Sequence, residues 1–197
     1  MHRAGVLRLL RSHAALPLDA HEAAMAADMI RFVDTQADCL LRTCGPGHLT
    51  GSAWIVSPDG SRVLLTHHLK LDKWLQLGGH ADGDGDLLAV AWREAREESG
   101  LAGVRVVSPE IFDVDRHWIP ERRSEPGHYH YDLRFRFEAD PREPLAISSE
   151  SKDLAWVELG RVTALNPEES MARMVRKTGR SDGALRAHFK SPPPLSF

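Results

Sequence analysis

Three glutamates lie close together near the middle of the chain, within the segment REAREESGL at residues 93–101. On a helix, Glu94, Glu97 and Glu98 share one narrow face, because they are separated by three and then one position. Like charges placed in this way repel, at a cost of roughly a few tenths of a kcal/mol per pair. A cation that prefers oxygen ligands, Mg²⁺ or Mn²⁺, would offset this repulsion. The alternative interpretation is a solvated acidic helix face.

The residues around these glutamates resemble the Nudix box, G-x5-E-x7-R-E-U-x-E-E-x-G-U, in which U is a bulky aliphatic residue. The match begins at Gly79, takes Arg93 and Glu94 as the R-E pair, and ends at Gly100 and Leu101 without a gap. Because so many positions are fixed, the motif is specific. The chain is therefore similar to the Nudix hydrolase family.

Two positions of the box differ from the family pattern. Ala95 is small for a bulky aliphatic position, which is a mild change. Gly85 stands where the first glutamate belongs, which is a more serious one. Asp84 and Asp86 flank Gly85, and either could supply a carboxylate, although Asp86 is also well placed to cap the following helix.

The resemblance covers roughly residues 48–160 and implies an α/β fold, a mixed β-sheet sandwiched between helices. It implies Mg²⁺ or Mn²⁺ as cofactor, held by the main-chain carbonyl of Gly79 and the carboxylates of Glu94, Glu97 and Glu98. The general base would be Glu94 or a glutamate outside the box. Glu150 and Glu158 are available for that role, and Glu150 is preferred. Arg93 is expected to orient a carboxylate, since it lies four residues before Glu97.

The resemblance implies hydrolysis of a diphosphate that joins a nucleoside to another group. A nucleotide sugar or an ADP-ribose-like compound is favoured, and the motif does not specify the substrate further. Because Gly85 replaces a carboxylate, a second function remains open. The domain could be a weak or inactive relative that senses a nucleotide as a regulatory or binding module.

Several histidines are candidates for substrate contacts. His80 directly follows the glycine pair and could contact a phosphate. Further along, His128, His130 and Asp132 alternate with apolar and aromatic residues, which is the period of a β-strand. This polar strand face has three interpretations: a metal site, a wall of the substrate pocket, or a solvated surface.

The elements that would position these residues fall into three segments. Residues 1–45 form an N-terminal helical extension of two helices, the second capped by Asp19, that packs on the domain or mediates homodimerisation. Residues 46–165 form the Nudix domain, which starts with a hairpin of strands HLTGSAWIVS and RVLLTHH. Residues 166–197 form a C-terminal helix, capped by Asn166, and the tail SPPPLSF.

The helix that carries the glutamates should run from about Leu87 to Ser99. Its apolar positions, which predict the buried side, are Leu88, Ala91, Trp92 and Ala95. Gly100 would end it in a left-handed conformation. The spacing thus places the apolar side against the sheet and the carboxylates beside it.

The composition excludes several classes of protein. The 197 residues are 42% hydrophobic and 27% charged with a net charge of −3, which argues against a nucleic-acid-binding surface. No apolar run approaches the roughly 20 residues of a membrane span. Cys39 and Cys44 form neither a disulfide framework nor a zinc motif, so a reducing cytoplasm is the expected location. The expected partner is a small nucleoside diphosphate derivative.

Overall fold

The computed structural model describes residues 3–121 and 126–188, with side chains described up to residue 179. In this part of the chain there are five α-helices: α1 Arg3–Ala14, α2 Ala20–Thr35, α3 Leu87–Ser99, α4 Val162–Leu165 and α5 Glu169–His188. Among the described helices, none is both long and apolar enough to cross a bilayer. The tail SPPPLSF lies outside the described residues.

The strands form one mixed sheet. They are β1 Gly47–Val56, β2 Arg62–His68, β3 Lys73–Leu75, β4 Leu77–His80, β5 Arg105–Val106, β6 Asp113–Ile119, β7 His128–Glu138 and β8 Ser151–Glu158. β1 pairs in parallel with β7 along its whole length, and the other described pairings are antiparallel. The sheet order is β3-β2-β1-β7-β5, with β4 on β1, β6 on β7 and β8 on β2.

Helices cover both faces of the sheet. On one face α3 packs on Gly51 of β1, and Phe32 of α2 stacks on Tyr131 of β7, with ring centroids 3.9 Å apart. On the other face α5 contacts β1, where Trp54 donates a hydrogen bond from its indole nitrogen to the Thr178 hydroxyl at 2.8 Å. The expected mixed sheet between helices is confirmed.

Helix α3 has the predicted bounds because its ends are set by local interactions. The Asp86 carboxylate accepts a hydrogen bond from the Ala89 N–H at 3.0 Å and caps the first turn. At the other end Gly100 has φ 71°, and its N–H bonds to the Arg96 carbonyl. One predicted core position is wrong. Trp92 is exposed: its indole N–H donates to the Val104 carbonyl at 3.1 Å, and the Arg96 guanidinium lies over its ring.

The two N-terminal helices are packed into the main core. Val6 and Leu10 of α1 are fully buried, as are Met29 and Val33 of α2. They belong to the same hydrophobic cluster as the sheet face that carries Leu49 and Tyr131, among others. The Asp19 cap of α2 is confirmed by its hydrogen bond from the Glu22 N–H at 2.8 Å. These contacts support the packing role expected of the two helices.

Two boundaries near the C-terminus differ from expectation. β8 begins at Ser151, several residues before the expected strand LAWVEL, because it pairs with β2 as far as His68. Asn166 accepts a hydrogen bond from the Glu168 N–H, two residues further on, and donates to the Trp74 carbonyl. It therefore forms a turn that leads into α5, which starts at Glu169, rather than the cap of the helix itself.

A buried ionic network joins α2, β6, β7 and α5. Asp113, which is completely buried, accepts hydrogen bonds from Arg134 at 3.1 Å, from Arg173 at 2.7 and 2.9 Å, and from Lys177 at 3.0 Å. Lys177 also bonds to Glu22 of α2. Burial by itself raises the pKa of Asp113, but the three cations lower it below its usual value. The carboxylate is thus ionised and paired.

We expect Arg173→Ala to lower the free energy of unfolding by about 3–5 kcal/mol, because it removes one partner from a buried carboxylate. Urea denaturation followed by circular dichroism measures the change. Arg176→Ala is the matched control, since Arg176 lies on the same helix with its side chain 53% exposed and pairs only at the surface. It should change stability by less than about 1 kcal/mol. Equal losses in the two variants would contradict a stabilising role for the network.

Candidate functional site

Strand β4 brings the glycine pair against helix α3. β4 pairs with the middle of β1, with Gly79 opposite Gly51 and Gly78 opposite Ser52. A Cβ atom added to Gly79 would lie 2.4 Å from the carboxyl carbon of Glu94, which is closer than any side chain tolerates. The absence of a side chain at Gly79 therefore lets the Glu94 carboxylate lie directly on the backbone of β4.

Glu98 approaches the same strand one residue earlier. Its carboxylate accepts a hydrogen bond from the Gly78 N–H at 3.2 Å. Burial raises the pKa of Glu98, the hydrogen bond from the Gly78 N–H opposes this rise, and the charges of Glu94, Glu150 and Glu97 add to it. The resulting pKa is about 7. This carboxyl group therefore changes its charge near neutral pH.

Glu94 and Arg93 form an ion pair with a distance of 3.3 Å. Burial raises the pKa of Glu94, whereas the Arg93 guanidinium lowers it, and Glu97 and Glu150 raise it again. Arg93 was expected to orient a carboxylate, with Glu97 as the partner suggested by spacing. Among the described contacts it instead bonds to Glu94, its neighbour in sequence. Glu97 is exposed on the outer side of the same stripe.

The structure brings Glu150 to the box glutamates from a distant part of the chain. Its charge is close enough to raise the pKa of both Glu94 and Glu98. Glu150 immediately precedes β8, and its carbonyl accepts a hydrogen bond from the Leu69 N–H at 2.8 Å, which fixes the backbone there. Glu158, the other candidate, lies at the opposite end of β8, where it is opposite Arg62 in the register of β2 and β8.

The residues that flank Gly85 are used to start helix α3. Asp86 is its N-cap, and Asp84 accepts a hydrogen bond from the Asp86 N–H at 2.9 Å. Both carboxylates therefore have a local structural role. In the described contacts, neither Asp84 nor Asp86 takes the place of the glutamate that Gly85 replaces.

The predicted substrate-contact histidines lie together on the face of the sheet that also carries Ser52. The ring centroids of His80 and His130 are 5.0 Å apart, and those of His128 and His130 are 5.2 Å apart. Two further histidines complete the group: His48, opposite His130 on β1, and His117, opposite His130 on β6. We call these five residues the histidine cluster.

Three members of the histidine cluster, His48, His117 and His130, have imidazoles whose uncharged form is favoured. Burial and, to a smaller extent, the neighbouring imidazoles together lower the pKa of His48 to about 4 and that of His130 to about 2. Burial likewise lowers the pKa of His117. Sequence reasoning missed His48 and His117 because each is isolated in its own strand. The register that aligns them with His130 is set by the pairing of three strands.

Asp132 is two residues beyond His130 on the same strand face, but it is engaged elsewhere. Its carboxylate accepts hydrogen bonds from Thr50 at 2.9 Å, Ser52 at 2.7 Å, Gln76 at 3.1 Å and Arg134 at 2.8 Å. With four donors, the carboxylate has its hydrogen-bonding capacity filled. The metal set of His128, His130 and Asp132 considered from the sequence is therefore not supported at Asp132.

Comparison with known proteins agrees with the sequence resemblance. The family model described as NUDIX domain matches residues 48–178. A search of curated proteins found no match.

Solved structures with the same fold include an Ap4A hydrolase from C. elegans in a binary complex, with a TM-score of 0.55 and 18% identity over 72% of this chain and 98% of that one. A NUDIX family hydrolase from Clostridium perfringens has a TM-score of 0.52 and 24% identity over 68% and 97%. The dihydroneopterin triphosphate pyrophosphohydrolase of E. coli has a TM-score of 0.51 and 14% identity over 66% and 92%. At these identities the likeness shows the fold.

The raised pKa of Glu98 predicts that stability depends on pH. The unfolded chain loses this proton near pH 4.5 and the folded protein near pH 7, so stability falls as the pH rises through that interval. Glu98→Gln removes the buried charge and should exceed the wild type in free energy of unfolding by about 1–2 kcal/mol above pH 7, allowing for partial solvent screening. Below pH 4.5 the two proteins should be equally stable.

Urea denaturation without divalent cations measures this difference. Glu97→Gln is the matched control, because Glu97 is an exposed carboxylate on the same helix. Its profile should lie close to that of the wild type, because the Glu97 charge is the smallest of the contributions to the raised pKa of Glu98. Identical pH profiles for Glu98→Gln and the wild type would refute a buried, destabilising charge at Glu98.

Proposed function

We propose, from the premise that the chain belongs to the Nudix hydrolase family, that it is a divalent-metal-dependent pyrophosphohydrolase that cleaves the diphosphate of a nucleoside diphosphate derivative. The observation that carries this proposal is the contact of the Gly79 backbone with the Glu94 carboxylate, beside Glu98 and Glu150. This contact supports a set of oxygen donors made of the Gly79 backbone and the neighbouring carboxylates.

The donor set fits a hard divalent cation. The groups that would hold it are the Gly79 carbonyl and the carboxylates of Glu94, Glu97 and Glu98, all of which offer oxygen. Burial first, and then repulsion between neighbouring carboxylates, raises the pKa values of Glu94 and Glu98, and a bound cation would relieve both effects. When bound, Mg²⁺ or Mn²⁺ would neutralise charge on the diphosphate oxygens and make a bound water more acidic.

We assign the general base to Glu150. It lies beside Glu94 and Glu98 without belonging to their helix, and its side chain is exposed and accessible to water. Its carboxylate would accept the proton of the attacking water. Glu94 is less suited to this role because it is held between Gly79 and Arg93. Arg93 is accordingly a positioning residue for Glu94.

Gly78 connects the carboxylates with the face that carries the histidine cluster. Its N–H bonds to Glu98, and a Cβ atom added to it would lie 2.3 Å from the Ser52 hydroxyl on that face. A nucleoside diphosphate held near Glu98 can extend over this face. His80 is our proposed substrate contact there. His128 and His130 were also expected to contact substrate, but their ring nitrogens point at each other, 3.3 Å apart, which suits a shared ligand better.

We favour a nucleotide sugar or an ADP-ribose-like compound as substrate. The similar structures are named for other substrates, Ap4A and dihydroneopterin triphosphate, and share the fold alone with this chain.

The test is to incubate the purified protein with a panel of nucleoside diphosphate sugars, ADP-ribose, dinucleoside polyphosphates and nucleoside triphosphates, with Mg²⁺ or Mn²⁺. Metal-dependent release of a nucleoside monophosphate supports the proposal.

The second candidate function is a nucleotide-sensing module, which the glycine at position 85 favours. Tight binding of a panel compound without metal-dependent turnover would support it and refute the hydrolase.

For an enzyme, Glu97→Gln and Glu98→Gln should each lower turnover by about 10² or more, because each removes an electrostatic element of the site. Full activity in both variants would exclude metal binding by this stripe.

The assignment of the base is tested with Glu150→Gln. We expect kcat to fall by about 10²–10⁴, the usual contribution of general base catalysis, with little change in the affinity for Mn²⁺. Glu158→Gln is the matched control, since Glu158 is an exposed glutamate at the other end of the same strand. Its kcat should remain at the wild-type value. Equal kcat values for the two variants would show that Glu150 does not take the proton.

A further inference from the structure

The histidine cluster contains three imidazoles whose nitrogens converge. One ring nitrogen from each of His48, His128 and His130 lies within 4.8 Å of the other two. We propose that these three residues bind a divalent transition-metal ion of the late first row, represented by Zn²⁺, at a site separate from the carboxylates of α3.

The distance between two of the ligands already suits such an ion. The Nε2 atoms of His128 and His130 are 3.3 Å apart. Zn²⁺ binds imidazole nitrogen at about 2.0–2.1 Å, so neighbouring nitrogens in a tetrahedral site are separated by about 3.3–3.4 Å. The pair therefore has the spacing of one tetrahedral edge. A nitrogen of His48 lies within 4.8 Å of both and would move closer on binding the ion.

The tautomer of His128 directs a lone pair into the site. Its Nδ1 lies 2.8 Å from the Pro126 carbonyl oxygen, which can only accept a hydrogen bond. Nδ1 therefore carries the proton, and Nε2, which faces His130, is left as an acceptor. A ring N–H donated to a backbone carbonyl is the usual support for a metal-binding histidine.

His48 supplies an independent indication. Its side chain is buried, with 3% exposure, and within the described residues neither ring nitrogen has a hydrogen-bond partner. A buried polar group without a partner costs about 1–3 kcal/mol, so its retention calls for a ligand. A metal ion held by His128 and His130 would lie within reach of this unsatisfied ring.

The chemistry of the donors distinguishes this site from the carboxylate site. Three neutral nitrogens suit Zn²⁺, Co²⁺, Ni²⁺ or Cu²⁺, whereas Mg²⁺ and Mn²⁺ prefer oxygen. Three protein ligands leave a fourth position for water or another ligand. Asp132 does not fill it, because its carboxylate is bonded to four donors.

The experiment titrates the full-length protein, prepared without a histidine tag and stripped of metal by a chelator, with ZnCl₂ in an isothermal calorimeter. One Zn²⁺ per chain is expected, with binding retained in excess Mg²⁺. His128→Ala should weaken the affinity for Zn²⁺ by about 100-fold or more, and His130→Gln should do the same while retaining more of the side-chain volume. Circular dichroism establishes that each variant is folded.

His67→Ala is the matched control, because His67 lies on β2, where it pairs with Asp72 and stacks on Trp74, outside the histidine cluster. It should bind Zn²⁺ as the wild type does. Absence of stoichiometric Zn²⁺ binding, or equal affinity in the wild type and a folded His128 or His130 variant, would overturn the proposal. Glu98→Gln should bind Zn²⁺ normally, so failure of the hydrolase proposal and failure of this one are distinguishable.

Discussion

The close approach of α3 to a strip of backbone without side chains determines where the glutamates lie. Gly51 and Gly79 face each other across β1 and β4. A Cβ atom at Gly51 would lie 2.7 Å from the Leu87 carbonyl oxygen, and one at Gly79 would meet Glu94. Two absent methyl groups thus allow the helix to pack closely at its first turn and again at the carboxylates. The position of the acidic stripe relative to the sheet follows from this contact.

Two kinds of buried carboxylate show how the surroundings separate stability from function. Asp113 and Glu98 are both removed from water, which raises the pKa of each. Asp113 is surrounded by cations that more than reverse the effect, so its charge is paired. Glu98 has glutamates as its neighbours, which add to the effect. The Asp113 carboxylate therefore joins several elements of the fold, whereas the Glu98 carboxylate is surrounded by charges of its own sign.

The parts of the fold that depend on local interactions could be predicted from the sequence, and α3 shows why. The Asp86 cap, the Gly100 stop and the apolar period are all within the segment, so the bounds of the helix follow from it. The hairpin of β1 and β2 and the strand at His128–Glu138 are similarly local. Trp92 was misplaced because its hydrogen bond to Val104 depends on how the chain returns after the helix.

The candidate site also has a part that is local in sequence and a part that depends on distant segments. The spacing of Glu94, Glu97 and Glu98 is a property of one helix and was readable directly. Their relation to Glu150 depends on the path of the chain between α3 and β8, for which the sequence offered two candidates. Which carboxylate Arg93 bonds to depends on the rotamer of its side chain, and the spacing of residues on a helix does not determine that rotamer. His48 and His117 required the register of strands that are far apart in sequence.

The parallel pairing of β1 with β7 links the two proposed sites. It aligns His48 with His130 and Thr50 with Asp132, while β4 on the other side of β1 holds the glycine pair. Successive residues of β4 then serve different chemistries, because Gly79 faces the carboxylates of α3 and His80 faces the imidazoles. Oxygen donors and nitrogen donors are thus kept apart by the pleat of one short strand. The imidazoles therefore offer a borderline cation a donor set of its own, while the carboxylates at α3 offer a hard cation the oxygen ligands that it prefers.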